Sequence, residues 1–152
     1  MRVVAQRVDR AQVEVGGEVV GSIDAGLVIF VGVGRSDMAL EAGPSERAAA
    51  LAKKVANLRI FSDAGGKSNL SLIDTGGAAL VISQFTLYAD CRHGRRPSFS
   101  AAAEPAPAEA LVEEFRSALE HLGVPTAGGR FGAHMTVSVV NDGPFTVTIE
   151  DD

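Results

Sequence analysis

The chain has 152 residues, of which 46% are apolar and 22% charged, a composition typical of a globular protein. We expect one domain over residues 1–152. The net charge of −5 excludes a uniformly basic nucleic-acid binder and leaves a local basic patch open. No apolar run approaches the roughly 20 residues of a membrane span, and residues 1–7 lack a signal-peptide pattern, which predicts a cytoplasmic protein. The single cysteine excludes a disulfide framework.

The first third of the sequence predicts β-structure. Val13, Val15 and Val19 alternate with polar residues on either side of Gly16-Gly17, a pattern typical of two strands joined by a tight turn. The continuous apolar run over residues 27–31 predicts a strand that is buried on both faces.

Two helices and three strands are predicted in the rest of the chain. Residues 46–57 have apolar side chains at helical spacing, and Pro44 suits the first turn. A second helix opens at Pro105 and Pro107 and ends near Gly123. The strands are predicted over residues 78–83, 135–140 and 145–149, with a turn at residues 142–144 between the last two. The sequence therefore predicts an α/β fold with mostly antiparallel strands and two main helices.

Several known catalytic and ligand-binding motifs are excluded, because the sequence lacks their residues at the required spacing. Gly66-Lys67-Ser68 resembles the end of a phosphate-binding loop, but Phe61 stands where that motif requires glycine. No nucleophile elbow of the G-x-S-x-G type occurs. The three histidines lack paired metal-ligand spacing, so we predict no metal site and no cofactor. These histidines are His93, His121 and His134.

Two segments contain polar residues that core packing does not explain. Ser83, Gln84 and Thr86 follow a predicted buried strand, where active-site groups often lie. The alternative is that they cap the strand and bond nearby backbone. Residues 141–146 include Gly143-Pro144, which fits either a plain turn or a cis proline in a fixed geometry.

Six stretches spread over nearly the whole chain resemble the bacterial D-aminoacyl-tRNA deacylases. They are Gln6-Arg7-Val8, Arg59-Ile60-Phe61-Ser62-Asp63, Ser83-Gln84-Phe85-Thr86-Leu87, Arg96-Pro97-Ser98-Phe99-Ser100, Gly129-Arg130-Phe131-Gly132-Ala133 with Met135, and Asn141-Asp142-Gly143-Pro144. The resemblance implies a compact domain with a barrel-like sheet, and a homodimer with active sites at its interface. It also implies an ester hydrolase that releases D-amino acids from the 3′-terminal adenosine of tRNA. Glycine mischarged onto the tRNA for alanine is a further substrate that the resemblance implies.

The resemblance also implies a role for each matching residue. Gly143 and Pro144 match a glycine–cis-proline pair that enters the partner subunit's pocket, directs its carbonyls at the substrate amino group and rejects L-amino acids. Arg7 matches the arginine that holds this pair. Phe131 and Met135 shape the pocket near the adenosine. The residues that line the scissile ester are Ser83, Gln84, Phe85 and Thr86.

Two residues depart from the family pattern. Many members have a small β-branched residue where Phe145 follows the glycine–proline pair, and many have a small residue where Tyr88 follows Leu87. We expect Phe145 to face away from the substrate. The Tyr88 hydroxyl is expected either to be exposed or to reach the substrate.

The two key motifs contain no histidine or carboxylate that would act as a general base. We expect backbone N–H groups of residues 83–86 to hold the developing oxyanion, and the resemblance implies help from the substrate's own 2′-hydroxyl. A rival hypothesis is a small-molecule esterase with Thr86 as nucleophile, although the motif offers no base to activate it. Another is a nucleic-acid-binding module without activity, which the 5% aromatic content disfavours.

A local basic patch is predicted to contact the phosphates of the acceptor end of aminoacyl-tRNA, with weak and salt-sensitive binding. The alternative is a solvated loop. No contact with DNA or membranes is expected. The candidate residues are Arg92, Arg95, Arg96, Arg130 and Lys67.

Overall fold

The computed structural model describes residues 1–39 and 43–150. The strands in these ranges are β1 (Arg2–Val15), β2 (Glu18–Ile23), β3 (Gly26–Gly32), β4 (Phe61–Ser62), β5 (Ser68–Leu70), β6 (Ala78–Ser83), β7 (Thr126–Gly128) and β8 (Thr136–Glu150). The helices are α1 (Pro44–Ala56), α2 (Leu72–Thr75) and α3 (Pro105–His121). Two short 3₁₀ segments are Arg35–Met38 and Phe85–Tyr88.

The long strand β1 organises the main sheet because it pairs antiparallel with β2, β3 and β8. The predicted turn at Gly16-Gly17 joins β1 to β2. From β3 the sheet continues through parallel pairs to β6 and β7. At Gly21 of β2, a Cβ atom would lie only 2.5 Å from the Gly128 carbonyl oxygen of β7. This approach nearly closes the sheet into a barrel, and the predicted α/β fold with mostly antiparallel strands is confirmed.

Alternating side chains along the strands build one apolar cluster on each face of the sheet. Leu27, Ile29 and Val31 of β3 join the cluster that includes α1 and α3, where Phe115 is fully buried. Val28 joins the opposite cluster, inside the curved sheet. The prediction of a strand buried on both faces is therefore confirmed.

Helices α1 and α3 confirm the two predicted main helices. Pro44 occupies the first turn of α1, and the positive φ of +85° at Gly123 follows the end of α3. The short helix α2 and the β4–β5 hairpin were not predicted, because segments of four residues or fewer leave too few positions for a periodic pattern. No described helix has the length and apolarity to span a membrane.

The predicted turn at residues 142–144 is wrong, because β8 continues through this segment as a single strand. Thr146 pairs with Gln6 and Asn141 pairs with Val8, so β8 advances five residues while β1 advances two. The surplus residues of β8 leave the ladder and form a large bulge. Gly143 and Pro144 lie in this bulge and are exposed.

Candidate active site

A cavity of about 480 Å³ lies between the end of β6, the start of α3 and the segment that leads into β8. Its lining includes five of the nine predicted site residues. These five are Ser83, Gln84, Phe85, Phe131 and Met135. His134 is the one ionisable side chain among the lining residues. His134 is not one of the predicted site residues, and it lies in no cluster of three His, Cys, Asp or Glu side chains within the described ranges.

The chain enters a 3₁₀ segment where β6 ends, and Ser83, Gln84 and Phe85 at this point line the cavity. The Gln84 N–H group extends the parallel ladder by donating to the Val31 carbonyl at 2.8 Å. A 3₁₀ segment follows, and its hydrogen bonds begin with the Leu87 N–H group, which donates to the Gln84 carbonyl at 3.2 Å. The N–H groups of Phe85 and Thr86 precede that first bond and remain available to an anionic oxygen.

The Thr86 side chain is exposed and lies outside the cavity lining. Its hydroxyl accepts a hydrogen bond from the Gln84 side-chain amide. A hydroxyl nucleophile needs a neighbouring base that removes its proton, and an amide N–H group donates instead of accepting. The geometry therefore disfavours Thr86 as the nucleophile of an acyl-enzyme and, with it, the esterase hypothesis.

The bulge in β8 is held by the buried guanidinium group of Arg7, which is 9% exposed. Its Nη1 donates to the Ile60 carbonyl at 2.5 Å, and its Nε donates to the Asp142 carbonyl at 3.2 Å. The same Nε lies 2.9 Å from Asp142 Oδ2. The guanidinium carbon also lies 5.1 Å from the centre of the Phe145 ring. Arg7 therefore contacts the residues on both sides of the glycine–proline pair.

The bulge exposes backbone more than side chain. The Gly143–Pro144 peptide bond is cis, and φ at Gly143 is +130°, in the region that favours glycine. A Cβ atom there would lie 2.7 Å from the Phe145 backbone nitrogen. The Phe145 side chain packs inward against the cluster that includes α1 and α3, so it does not extend the exposed face of the bulge.

The predicted residues thus form two separate groups in one chain. Gly143, Pro144 and Arg7 do not line the cavity, whereas Ser83 and Phe131 do.

The comparisons with known proteins identify the family. A family model described as D-Tyr-tRNA(Tyr) deacylase matches residues 4–150. The chain belongs to this family. The D-aminoacyl-tRNA deacylase of Desulforudis audaxviator (strain MP104C) is 54% identical over 150 residues, which cover 99% of this chain and 97% of the relative. The protein of the same name from Chloroflexus aurantiacus (strain ATCC 29364 / DSM 637 / Y-400-fl) is 57% identical, with 99% and 90% covered.

Solved structures share the fold of this D-Tyr-tRNA(Tyr) deacylase family member. One, described as c-Myc DNA Unwinding Element Binding Protein, matches with a TM-score of 0.88 at 34% identity and covers 100% of this chain and 99% of that chain. Another, described as a probable eukaryotic D-amino acid tRNA deacylase, matches with a TM-score of 0.85 at 17% identity and shows the fold alone. The family predicted from the sequence is confirmed.

Tyr88 anchors the end of the second 3₁₀ segment, which follows β6. Its side chain is 8% exposed, and its hydroxyl donates to Asp37 Oδ2 at 2.9 Å. Asp37 also accepts from the Gly34 N–H group at 2.7 Å and from the Met1 ammonium at 2.5 Å. The Arg2 guanidinium lies 4.6 Å from the centre of the Tyr88 ring. Both alternatives expected for the Tyr88 hydroxyl are therefore wrong, because it is bonded inside the protein.

The charges at this anchor shift two pKa values in opposite directions. Burial and the Asp37 carboxylate raise the pKa of Tyr88, so its hydroxyl stays protonated and donates. Burial alone would raise the pKa of Asp37, but the bonds from the Met1 ammonium, the Gly34 N–H group and the Tyr88 hydroxyl outweigh it and lower that pKa below 3.8. Asp37 is therefore ionised at neutral pH, and it connects the start of the chain, the start of the first 3₁₀ segment and the end of the second.

We predict that Tyr88→Phe lowers the free energy of unfolding by roughly 1–3 kcal/mol, because a buried carboxylate loses one of its donors. Urea unfolding followed by circular dichroism measures this loss. The pKa of Asp37 is lowered in the folded state. The Asp37 carboxylate therefore stabilises the fold above pH 3.8, and this stabilisation is lost as the pH falls through the folded-state pKa. Ser68→Ala removes an exposed hydroxyl and serves as the control with no expected change. Equal stability of Tyr88→Phe and wild type at pH 7 would contradict the anchor.

Proposed function

We propose that this chain is a D-aminoacyl-tRNA deacylase that hydrolyses the ester between a D-amino acid and the 3′-terminal adenosine of tRNA. The observation that supports this most directly is the cavity at the end of β6, where the N–H groups of Phe85 and Thr86 are unbonded within the turn. Family membership and the names of the relatives agree with this activity. The products are a free D-amino acid and a tRNA ready for recharging.

The active form is a homodimer in which the bulge of each copy enters the cavity of the other. Two features support this arrangement. The long strand β8 pairs with β1 alone among the described strands, so one of its edges is open to a partner. Phe85 is 57% exposed and Phe99 is 38% exposed, and their rings meet edge to face at 5.2 Å beside the cavity. An exposed aromatic pair at a cavity mouth is typical of a contact surface.

Hydrolysis requires a water nucleophile, a site for the oxyanion and a route for one proton. Water adds to the ester carbonyl carbon, and the carbonyl oxygen becomes an oxyanion bound by the N–H groups of Phe85 and Thr86. One such donor typically contributes about 2.7–4 kcal/mol in the transition state. The bond to the 3′-oxygen then breaks, and the proton released by the attacking water reaches that oxygen through the neighbouring 2′-hydroxyl of the substrate. Enzyme side chains only position the substrate.

Stereochemical selection follows from shape. The carbonyls of Gly143 and Pro144 hold the substrate ammonium group, and the oxyanion site holds the ester. Once both are fixed, the α-carbon substituent has one direction left. A D side chain points to open space, whereas an L side chain meets the backbone of the bulge, and exclusion of this kind gives specificity without a dedicated pocket. Glycine has no side chain to exclude, so glycine on the tRNA for alanine is also hydrolysed.

We predict that the wild-type protein deacylates D-tyrosyl-tRNA and glycyl-tRNA and leaves L-tyrosyl-tRNA intact. In Arg7→Lys the ammonium group cannot reproduce the fork that contacts Ile60 and Asp142. The bulge is then held less firmly, so the ratio of D to L turnover falls at least about tenfold. Release of labelled amino acid from each charged tRNA measures the ratio.

Arg10→Lys is the matched control, because Arg10 is an exposed arginine of the same strand β1. It should keep the wild-type ratio. Equal cleavage of the D and L esters by the wild-type protein would refute the stereochemical proposal, and so would glycyl-tRNA that survives enzyme levels sufficient to clear D-tyrosyl-tRNA.

We predict that Thr86→Ala retains kcat within about fivefold of wild type, whereas loss of a true nucleophile costs a factor of about 10³ or more. His134→Ala should behave in the same way, because the proposed proton route uses the substrate hydroxyl. A D-tyrosyl ester of a 2′-deoxyadenosine end should be cleaved at least about 100-fold more slowly, in line with the usual contribution of general acid–base catalysis. Single-turnover kinetics measure the cleavage rates of the two variants and of the 2′-deoxy substrate. Isolation of an acyl group covalently bound to Thr86 would overturn the mechanism.

A further inference from the structure

We propose that Arg95 and Arg96 form a docking surface for backbone phosphates of the tRNA outside its terminal adenosine, and that Arg92 takes no part. The proposal rests on the proposed function, since it names the part of the enzyme that recognises the rest of the substrate. It also separates the three arginines of the predicted basic patch by the contacts that each of them makes.

The segment between Asp90 and Glu104 has an unusual charge pattern. Its thirteen residues include three arginines and one histidine but no carboxylate. Both flanking carboxylates are already occupied. Asp90 binds Arg92, and Glu104 lies 3.1 Å from Arg35 Nη2. The uncompensated positive charge of the segment therefore belongs to Arg95 and Arg96.

Arg92 forms a two-pronged ion pair with Asp90 at the protein surface, where the Arg92 side chain is 82% exposed. Its Nε lies 2.9 Å from Asp90 Oδ1 and its Nη2 lies 2.6 Å from Asp90 Oδ2. The Arg92 N–H group also donates to Asp90 Oδ1 at 3.0 Å. These bonds hold the pKa of the Asp90 carboxyl well below its usual range. An anion that approached Arg92 would have to displace a carboxylate that already uses the fork of the guanidinium group.

Arg95 and Arg96 are exposed and have no ion pair or hydrogen bond with any described residue. A planar guanidinium with all its donors free matches a phosphate in two-pronged geometry. An acidic chain with a net charge of −5 repels a polyanion at long range, so a local cationic surface is needed to bind tRNA.

The loop that presents these arginines is fixed beside the cavity. Asp90 and Ser98 close it by exchanging two backbone hydrogen bonds of 2.7 and 2.9 Å. The next residue, Phe99, packs its ring edge to face on Phe85, which lines the cavity. The loop therefore starts and ends next to the place where the terminal adenosine binds in the proposed function, and it is positioned to meet the adjoining RNA backbone.

The test compares two substrates that share the scissile ester. One is full-length D-tyrosyl-tRNA, and the other is D-tyrosyl-adenosine, which lacks the phosphates beyond the terminal nucleoside. Three proteins are compared: wild type, the Arg95→Ala/Arg96→Ala double variant, and Arg92→Ala as the matched control from the same loop. For each, kcat/KM is measured between 50 and 200 mM salt.

We expect the double variant to lose turnover of the full-length tRNA and to keep wild-type turnover of D-tyrosyl-adenosine. The slope of log(kcat/KM) against log(salt) should become shallower by about 0.7–0.9 for each arginine removed. Between 50 and 200 mM salt, the double variant should therefore lose about tenfold less activity on tRNA than wild type does. Arg92→Ala should keep the wild-type slope.

An unchanged salt slope in the double variant would overturn the proposal. Equal losses on both substrates would also overturn it, because the loop would then act on the cavity and not on the RNA. A loss in Arg92→Ala as large as in the double variant would refute the division between the arginines. Equilibrium binding of uncharged tRNA by the same three proteins, with the same expected order, tests the docking surface even if wild type cleaves neither ester. If the wild-type protein cleaved neither ester, that result would contradict the proposed function and leave the docking surface to be judged by tRNA binding.

Discussion

The buried guanidinium group of Arg7 is the contact on which the shape of β8 depends. β8 has more residues than its partner β1 can pair, so the surplus must leave the ladder. A buried arginine is costly unless its donors are satisfied. Here the carbonyls of Ile60 and Asp142, the Asp142 carboxylate and the Phe145 ring surround it. The same bonds that compensate the charge hold the Gly143–Pro144 pair at the surface in one conformation.

The proposed use of backbone atoms agrees with the cavity lining, in which His134 is the one ionisable side chain. Backbone carbonyls and N–H groups hold fixed positions set by strands and turns, whereas long side chains must lose rotamer freedom to reach equal order. The end of β6 is bonded to β3 through Gln84 and Val31, and the following turn is tied through Tyr88 to Asp37. The proposed discrimination between mirror-image substrates depends on rigid geometry more than on reactivity, and these two connections fix the end of β6.

The main helices, the buried strand β3 and the family motifs were predictable because each is a local pattern within a dozen or so residues. The bulge at residues 142–144 was not, because aspartate, glycine and proline in sequence favour a turn just as well. Only the pairing of β8 with β1, which joins residues more than 130 positions apart, decides between them. The bond between Tyr88 and Asp37 spans 51 positions and was missed for the same reason. No pattern near Tyr88 indicates a buried carboxylate partner.

The distribution of ion pairs matters more for this protein than its net charge. An acidic chain that acts on a polyanion gains nothing from a uniform basic surface, which would bind RNA in many orientations. Pairing Arg92 with Asp90 and Arg35 with Glu104 leaves positive charge at two neighbouring positions of one anchored loop. The proposed docking surface adds local attraction at the edge of the cavity to a chain that is acidic overall. On this proposal, the charge pattern orients the RNA so that its terminal ester reaches the end of β6.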